Sequence, residues 1–123
     1  MTTRVYIPQV PQHFDDAQQK MVTRFNTLDQ AEKFGELVIL LDRNDDVWNP
    51  DAVLATLERK MRSFKDTDYL LPMGSYPFMM WTAMVAMSKA RDYVQHLQWH
   101  QREKNYRVIT TKVTRYKQWH DAK

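Results

Sequence analysis

Cysteine is absent from the 123-residue chain, and glycine occurs only at Gly35 and Gly74. Without cysteine the protein has no disulfide, thiol nucleophile, cysteine-ligated metal or iron–sulfur cluster. Two isolated glycines leave no G-x-G-x-x-G or G-x-x-x-x-G-K-[ST] loop to hold a nucleotide. No run reaches the roughly 18 apolar residues of a membrane span, and the first residues lack a signal-peptide pattern. We therefore expect a cytoplasmic protein.

Signatures of catalysis and of metal binding are also missing. None of the three serines lies in a G-x-S-x-G motif. His96 and His100 are four residues apart, but in a predicted strand this spacing separates them by about 13 Å. The acidic loop of residues 42–46 has no second acidic cluster to complete a cation site. We expect no enzyme activity, cofactor or metal.

The composition is that of a folded domain. Hydrophobic residues make up 43% of the chain and charged residues 27%, with a formal net charge of +3. These values predict one globular domain over residues 1–113, followed by a polar, basic tail at residues 114–123.

Apolar periodicity predicts alternating strands and helices. Strands are predicted at residues 4–7, 36–42, 68–73, 94–100 and 106–113, and helices at 14–34, from Asn49-Pro50 onward, and at 77–90. The strand at 36–42 is nearly all apolar, which favours a central position, and the helix at 14–34 has a possible break near Asn26. The order predicts a two- or three-layer α/β fold with about five strands, mostly parallel, ending in an antiparallel hairpin.

Positive charge is concentrated near the C-terminus. Residues 89–123 contain nine Lys and Arg against three Asp and Glu, which leaves −3 for residues 1–88. A basic hairpin interleaved with aromatic rings can bind phosphates and stack bases. The candidate nucleic-acid-binding residues are Arg102, Lys104, Arg107, Lys112, Arg115, Lys117 and Trp119. In the alternative interpretation, the cations only protect an edge strand, and Trp99 and Tyr106 belong to the core.

Two further surfaces are candidates for binding. Gly74 and Ser75 precede a predicted helix and can form an anion-binding turn, although a tight turn with an N-cap is the favoured interpretation. The helix at 77–90 is apolar almost all round, so either the core or a partner must cover it. Its apolar residues are Phe78, Met79, Met80, Trp81, Met84 and Met87. A homodimer and a host protein are both possible partners for this helix.

Several segments together resemble small proteins encoded by tailed bacteriophages. They are residues 4–8, residues 31–38, residues 68–71, Gly74-Ser75 and the closing hairpin. Relative to those proteins, the segment before Phe34 is longer and the tail after Val113 is extra. The resemblance implies a viral accessory protein that acts in the cytoplasm of a bacterial host, and it supplies no site residues.

These observations lead to one functional hypothesis and two alternatives. The leading one is a small non-enzymatic accessory protein that binds nucleic acid through its basic hairpin, with single-stranded DNA as a candidate ligand. The alternatives are a protein-interaction module that inhibits a bacterial host factor, and a nucleotide-binding protein that uses the loops after the second and third strands.

Overall fold

A five-stranded sheet organises the protein. The computed structural model describes residues 2–10, 12–15, 20–23, 28–114 and 116, and the sheet has the order β4-β1-β5-β6-β7. Its strands are β1 (Arg4–Gln9), β4 (Glu36–Leu41), β5 (Tyr69–Leu70), β6 (Tyr93–His100) and β7 (Asn105–Lys112). The first four of these are mutually parallel and β7 pairs antiparallel with β6. The predicted α/β class, with mostly parallel strands and a C-terminal hairpin, is confirmed.

Strand β1 is an inner strand of the sheet, between β4 and β5, and its four central residues are buried. Its side chains alternate between two cores, with Val5 and Ile7 on one face and Tyr6 on the other. The prediction that residues 36–42 form a central strand is wrong, because β4 lies at one edge of this sheet and Ile39 is half exposed. An apolar run shows that a strand is largely covered, but not which neighbours cover it.

Helices lie on both faces of the sheet, which makes three layers. On one face α2 (Pro50–Lys60) and α3 (Tyr76–Lys89) pack against Tyr6 and Leu40. On the other face, α1 (Leu28–Ala31) buries Ala31 beside Val5 and Ile7. As predicted, α2 begins at Pro50 after Asn49, although the Asn49 side chain makes no capping hydrogen bond.

Part of the segment predicted as a helix at residues 14–34 is an antiparallel pair of strands. Strands β2 (Gln12–Asp15) and β3 (Lys20–Thr23) pair antiparallel, from Gln12 opposite Thr23 to Asp15 opposite Lys20. Only α1 is helical in this region among the described residues. Apolar spacing over 14–34 fits a helix, but Val22 and Thr23 are β-branched and favour a strand.

Two aspartates tie loops together where the parallel strands begin. Both oxygens of the fully buried Asp68 carboxylate accept backbone N–H groups, from Arg4 at 3.0 Å and Lys65 at 3.1 Å. Asp66 accepts N–H groups from Arg91 and Asp92 at 2.7 and 2.9 Å. Partial burial by itself raises the pKa of Asp66, but these N–H donors, with that of Tyr93 and the Arg91 charge, outweigh it and hold the pKa below its ordinary value.

Candidate nucleic-acid interface

The parallel strands end at one edge of the sheet, which we call the carboxyl edge. Register places Leu70 of β5 opposite Tyr6 of β1 and His96 of β6. Four residues further on, β6 ends at His100, about 13 Å beyond this level at 3.3 Å per residue. The β6–β7 turn therefore projects at the same edge as the loops that follow β1, β4 and β5. In open α/β sheets this is the edge where ligands bind.

The hairpin tip, defined as residues 100–107, carries three exposed cations, Arg102, Lys104 and Arg107. The turn is ordered by two hydrogen bonds to His100, whose carbonyl accepts Lys104 N–H at 2.8 Å and whose Nδ1 accepts Glu103 N–H at 3.1 Å. Within the described part of the chain, no carboxylate forms an ion pair with these three cations. The tip therefore presents a net positive charge to solvent, with Glu103 as its one acidic residue.

Lys104 adopts a left-handed backbone conformation. Its φ is +55°, and it is the one non-glycine residue with positive φ among those described. For a residue with a Cβ this conformation costs about 1 kcal/mol or more, whereas glycine adopts it freely. A lysine at this position therefore sacrifices some stability to place a cation in the turn.

The other predicted binding residues are not gathered at the tip. Lys112 lies at the far end of β7, opposite Tyr93, and strand alternation places it on the other face of the sheet from Arg107. Lys112 is therefore not part of the hairpin tip, and its role in nucleic-acid binding stays a prediction. Arg115, Lys117 and Trp119 lie outside the described residues.

The hairpin's two large rings face the core. Trp99 and Tyr106 are opposite each other in the register, with ring centroids 5.0 Å apart in an edge-to-face contact. Tyr106 is 6% exposed and belongs to the same core cluster as Leu97. Trp99 is partly buried and packs against this cluster. Their packing matches the interpretation of these rings as core residues, so neither is a free platform for stacking bases.

The turn before α3 is shaped by close packing. Gly74 has a φ of +113°, and a Cβ on it would lie 2.7 Å from Cβ of Gln9. The close approach of Gln9 therefore requires a glycine at position 74. The N–H of Gln9 also donates to the carbonyl oxygen of Met73 at 3.2 Å. Ser75 occupies the N-cap position of α3, but its buried hydroxyl makes no capping bond and has no other partner among the described residues. The anion-binding role of Gly74 and Ser75 stays a prediction.

The acidic loop after β4 uses its carboxylates internally. Asp42, Asp45 and Asp46 each accept a backbone N–H from a loop residue, at 2.8 to 2.9 Å. Within the described residues, no three acidic, histidine or cysteine side chains are grouped so that they could hold a metal ion. Trp48, at the end of this loop, is 89% exposed. Sequence reasoning missed it, although a tryptophan in a polar loop outside any apolar periodicity is a usable signal.

A cleft lies at the end of the sheet opposite the carboxyl edge. This cleft has a volume of about 460 Å³ and is lined by Lys65, Asp66, Thr67, Lys89, Arg91, Asp92 and Tyr93. Two of its cations are paired, Lys89 with Glu58 at 2.9 Å and Lys65 with Asp68 at 3.7 Å. The hydrogen bonds of Asp66 hold its floor together. These ion pairs and hydrogen bonds hold the fold together, so the residues that form them do not by themselves indicate a ligand site.

Comparison with protein-family models finds a match that covers most of the chain. A family model described as "Phage Pam3 gp32-like protein" matches residues 3–113. No curated protein and no solved structure matches the chain. In the part of the chain that the structure describes, no helix combines the length and apolarity needed to cross a lipid bilayer.

Proposed function

Because the chain belongs to the phage Pam3 gp32-like protein family, we propose that it is a non-enzymatic phage accessory protein that binds nucleic acid through the hairpin tip. The observation that carries the proposal is the group of Arg102, Lys104 and Arg107 at the carboxyl edge. All three are exposed, and no ion pair with a described carboxylate neutralises them. Cations placed in this way bind phosphate oxygens and release the counterions that surround nucleic acid.

The chemistry of the tip favours the phosphate backbone over the bases. Trp99 and Tyr106 pack inward, so stacking on them is not available to a bound strand. Phosphate contacts alone carry no sequence information. We therefore expect binding that is independent of sequence and similar for single-stranded and double-stranded DNA. The acidic loop at the β4 end of the same edge repels phosphates and confines them to the hairpin side.

Salt dependence and charge reversal test the proposal directly. Three phosphate contacts predict that affinity for duplex DNA falls about 40-fold between 50 and 200 mM salt, and for a single strand about 20-fold. Changing Arg102, Lys104 and Arg107 together to glutamate is expected to weaken binding about 100-fold at the lower salt, because repulsion replaces attraction. Fluorescence anisotropy with labelled DNA of both kinds measures each effect.

A matched control uses three exposed cations at the other end of the molecule. Changing Lys33, Arg59 and Arg62 to glutamate alters the net charge equally but leaves the tip intact. This variant is expected to keep affinity within about fivefold of the wild type, since only long-range attraction is reduced. Equal loss in both variants, or wild-type binding that ignores salt, would contradict the proposed surface.

The strained lysine gives an independent prediction. Replacing Lys104 with glycine should raise the free energy of unfolding by about 1 kcal/mol, because glycine has no Cβ and adopts the left-handed conformation without strain. The same variant should bind DNA several-fold more weakly, since one phosphate contact is lost. Urea unfolding and anisotropy on one preparation measure both quantities. A variant that is more stable and binds as tightly as the wild type would show that Lys104 has no part in binding.

A further inference from the structure

One side of α3 presents large apolar side chains to solvent. Tyr76, Met80, Met84 and Met87 are 79%, 65%, 59% and 38% exposed. Their spacing of four, four and three residues places them along one side of the helix. We call these four residues the methionine stripe. The core side of the same helix is formed by Phe78, Thr82, Val85 and Ala86, all of which are buried.

The stripe differs from an ordinary solvated helix face because it has no charged groups. Lys89 is the one charged residue of α3, and its ammonium pairs with Glu58 of α2 at 2.9 Å. Together the four side chains expose as much surface as about two and a half fully exposed large residues. This area is roughly 500 Å² if a large side chain offers about 200 Å². A standard interface buries about 800 Å² on each partner, a little over half of it apolar. The exposed area of the stripe is therefore large enough to form the apolar part of such an interface.

We infer that the methionine stripe is the contact between two copies of this chain, packed antiparallel across a twofold axis. In that arrangement Met80 faces Met84 of the other copy and Tyr76 faces Met87, so the stripe complements itself. Ala83 is exposed and lies near the axis, where its small side chain allows the helices to approach to about 8 Å.

Charge favours a second copy as the occupant. A chain of net charge +3 repels itself wherever its cations meet, but the two stripes bring no charged group into contact. Flexible methionines also adapt to one another without a fixed complementary shape. The inference concerns a different surface from the hairpin tip and does not rest on nucleic-acid binding.

Strand pairing is the rival mode of self-association. Strand β4 is the outermost strand on one side of the sheet and β7 on the other. In β7, Val108 and Ile109 are 40% and 43% exposed. Arg107 and Lys112 flank this apolar pair on the same strand, and charged residues on an edge strand oppose pairing with another chain. The experiment below separates the two modes.

Sedimentation velocity over a concentration series tests the inference. The wild type is expected to be a dimer at about 100 µM, and the double substitution Met80→Glu with Met84→Glu is expected to weaken association at least 100-fold, because it would bury unpaired charges. The control Ala52→Glu with Ala55→Glu adds the same charges to exposed positions of α2 and should remain dimeric. Circular dichroism confirms that each variant is folded.

Three results would overturn the inference. One is a wild type that is monomeric at that concentration, including one that binds a bacterial protein through Met80 and Met84. Another is a dimer that survives the stripe substitutions but is lost in Ile109→Glu, which would assign association to β7. The third is equal dissociation of the stripe and α2 variants.

A cross-link provides a test that does not depend on disruption. The chain has no cysteine, so Ala83→Cys introduces a single thiol near the proposed axis. Two such thiols can join only if their Cα atoms come within about 7 Å. Under mild oxidation this variant should form a disulfide-linked dimer at least tenfold faster than the exposed control Ala52→Cys. Equal rates for the two variants would exclude an antiparallel α3 contact.

Discussion

Replacing Gly35 with alanine is expected to destabilise the protein by about 3 kcal/mol. A Cβ at this position would lie 2.5 Å from the backbone oxygen of Thr3 and 2.9 Å from its carbonyl carbon. The next residue, Glu36, donates its N–H to the same Thr3 oxygen at 3.0 Å, which begins the pairing of β4 with β1. Overpacking costs about 1 to 3 kcal/mol and a lost hydrogen bond about 1 kcal/mol.

Urea unfolding of Gly35→Ala, followed by circular dichroism, measures this loss. Glu36→Ala is the control, because the Glu36 side chain is exposed and its removal should change stability by less than about 0.5 kcal/mol. A Gly35→Ala variant as stable as this control would mean that β1 and β4 can separate at little cost. The close approach of Thr3 would then not explain the glycine.

Replacing Asp68 with asparagine is expected to cost about 3 kcal/mol, nearly as much as replacing it with alanine. Oδ1 and Oδ2 of Asp68 accept N–H groups from Arg4 and Lys65, and the residue is fully buried. Asparagine retains one acceptor oxygen and turns an NH₂ group toward the other N–H donor. It also loses the charge that faces the Lys65 ammonium at 3.7 Å. A buried donor left without a partner costs about 1 to 3 kcal/mol, and more where a charged group is involved.

The control for Asp68→Asn is Asp51→Asn in the exposed first turn of α2, where loss of the carboxylate should cost no more than about 0.5 kcal/mol. Urea denaturation at neutral pH compares the two variants. If Asp68→Asn were as stable as Asp51→Asn, one carboxylate oxygen would suffice, and the paired N–H geometry would not anchor the start of β5 to β1.

Local patterns in the sequence predicted most of the elements. Asn49-Pro50-Asp51 marked the start of α2, because proline suits a first helical turn and aspartate complements the helix dipole. Two strands joined by a polar turn predicted β6 and β7 within one residue at each end. The short β2 and β3 were missed, because four-residue strands are stabilised by pairing with each other more than by their own periodicity.

The candidate interface was partly predictable. The excess of cations near the C-terminus follows from counting, and strand alternation alone places residues 107 and 112 on opposite faces once β7 is assigned. The left-handed Lys104 and the inward packing of Trp99 were not predictable, because both depend on how the hairpin fits against the sheet.

The sequence by itself determined the α/β alternation, the terminal hairpin, the start of α2 and the concentration of positive charge, because each depends on residues close together in the chain. Only the tertiary structure decided that β4 lies at an edge, that the β6–β7 hairpin carries its cations at the carboxyl edge, and that α3 leaves Met80 and Met84 uncovered. Strand order depends on which side of β1 each crossover takes. Burial of α3 depends on what packs above it, and both are set by contacts between residues distant in sequence.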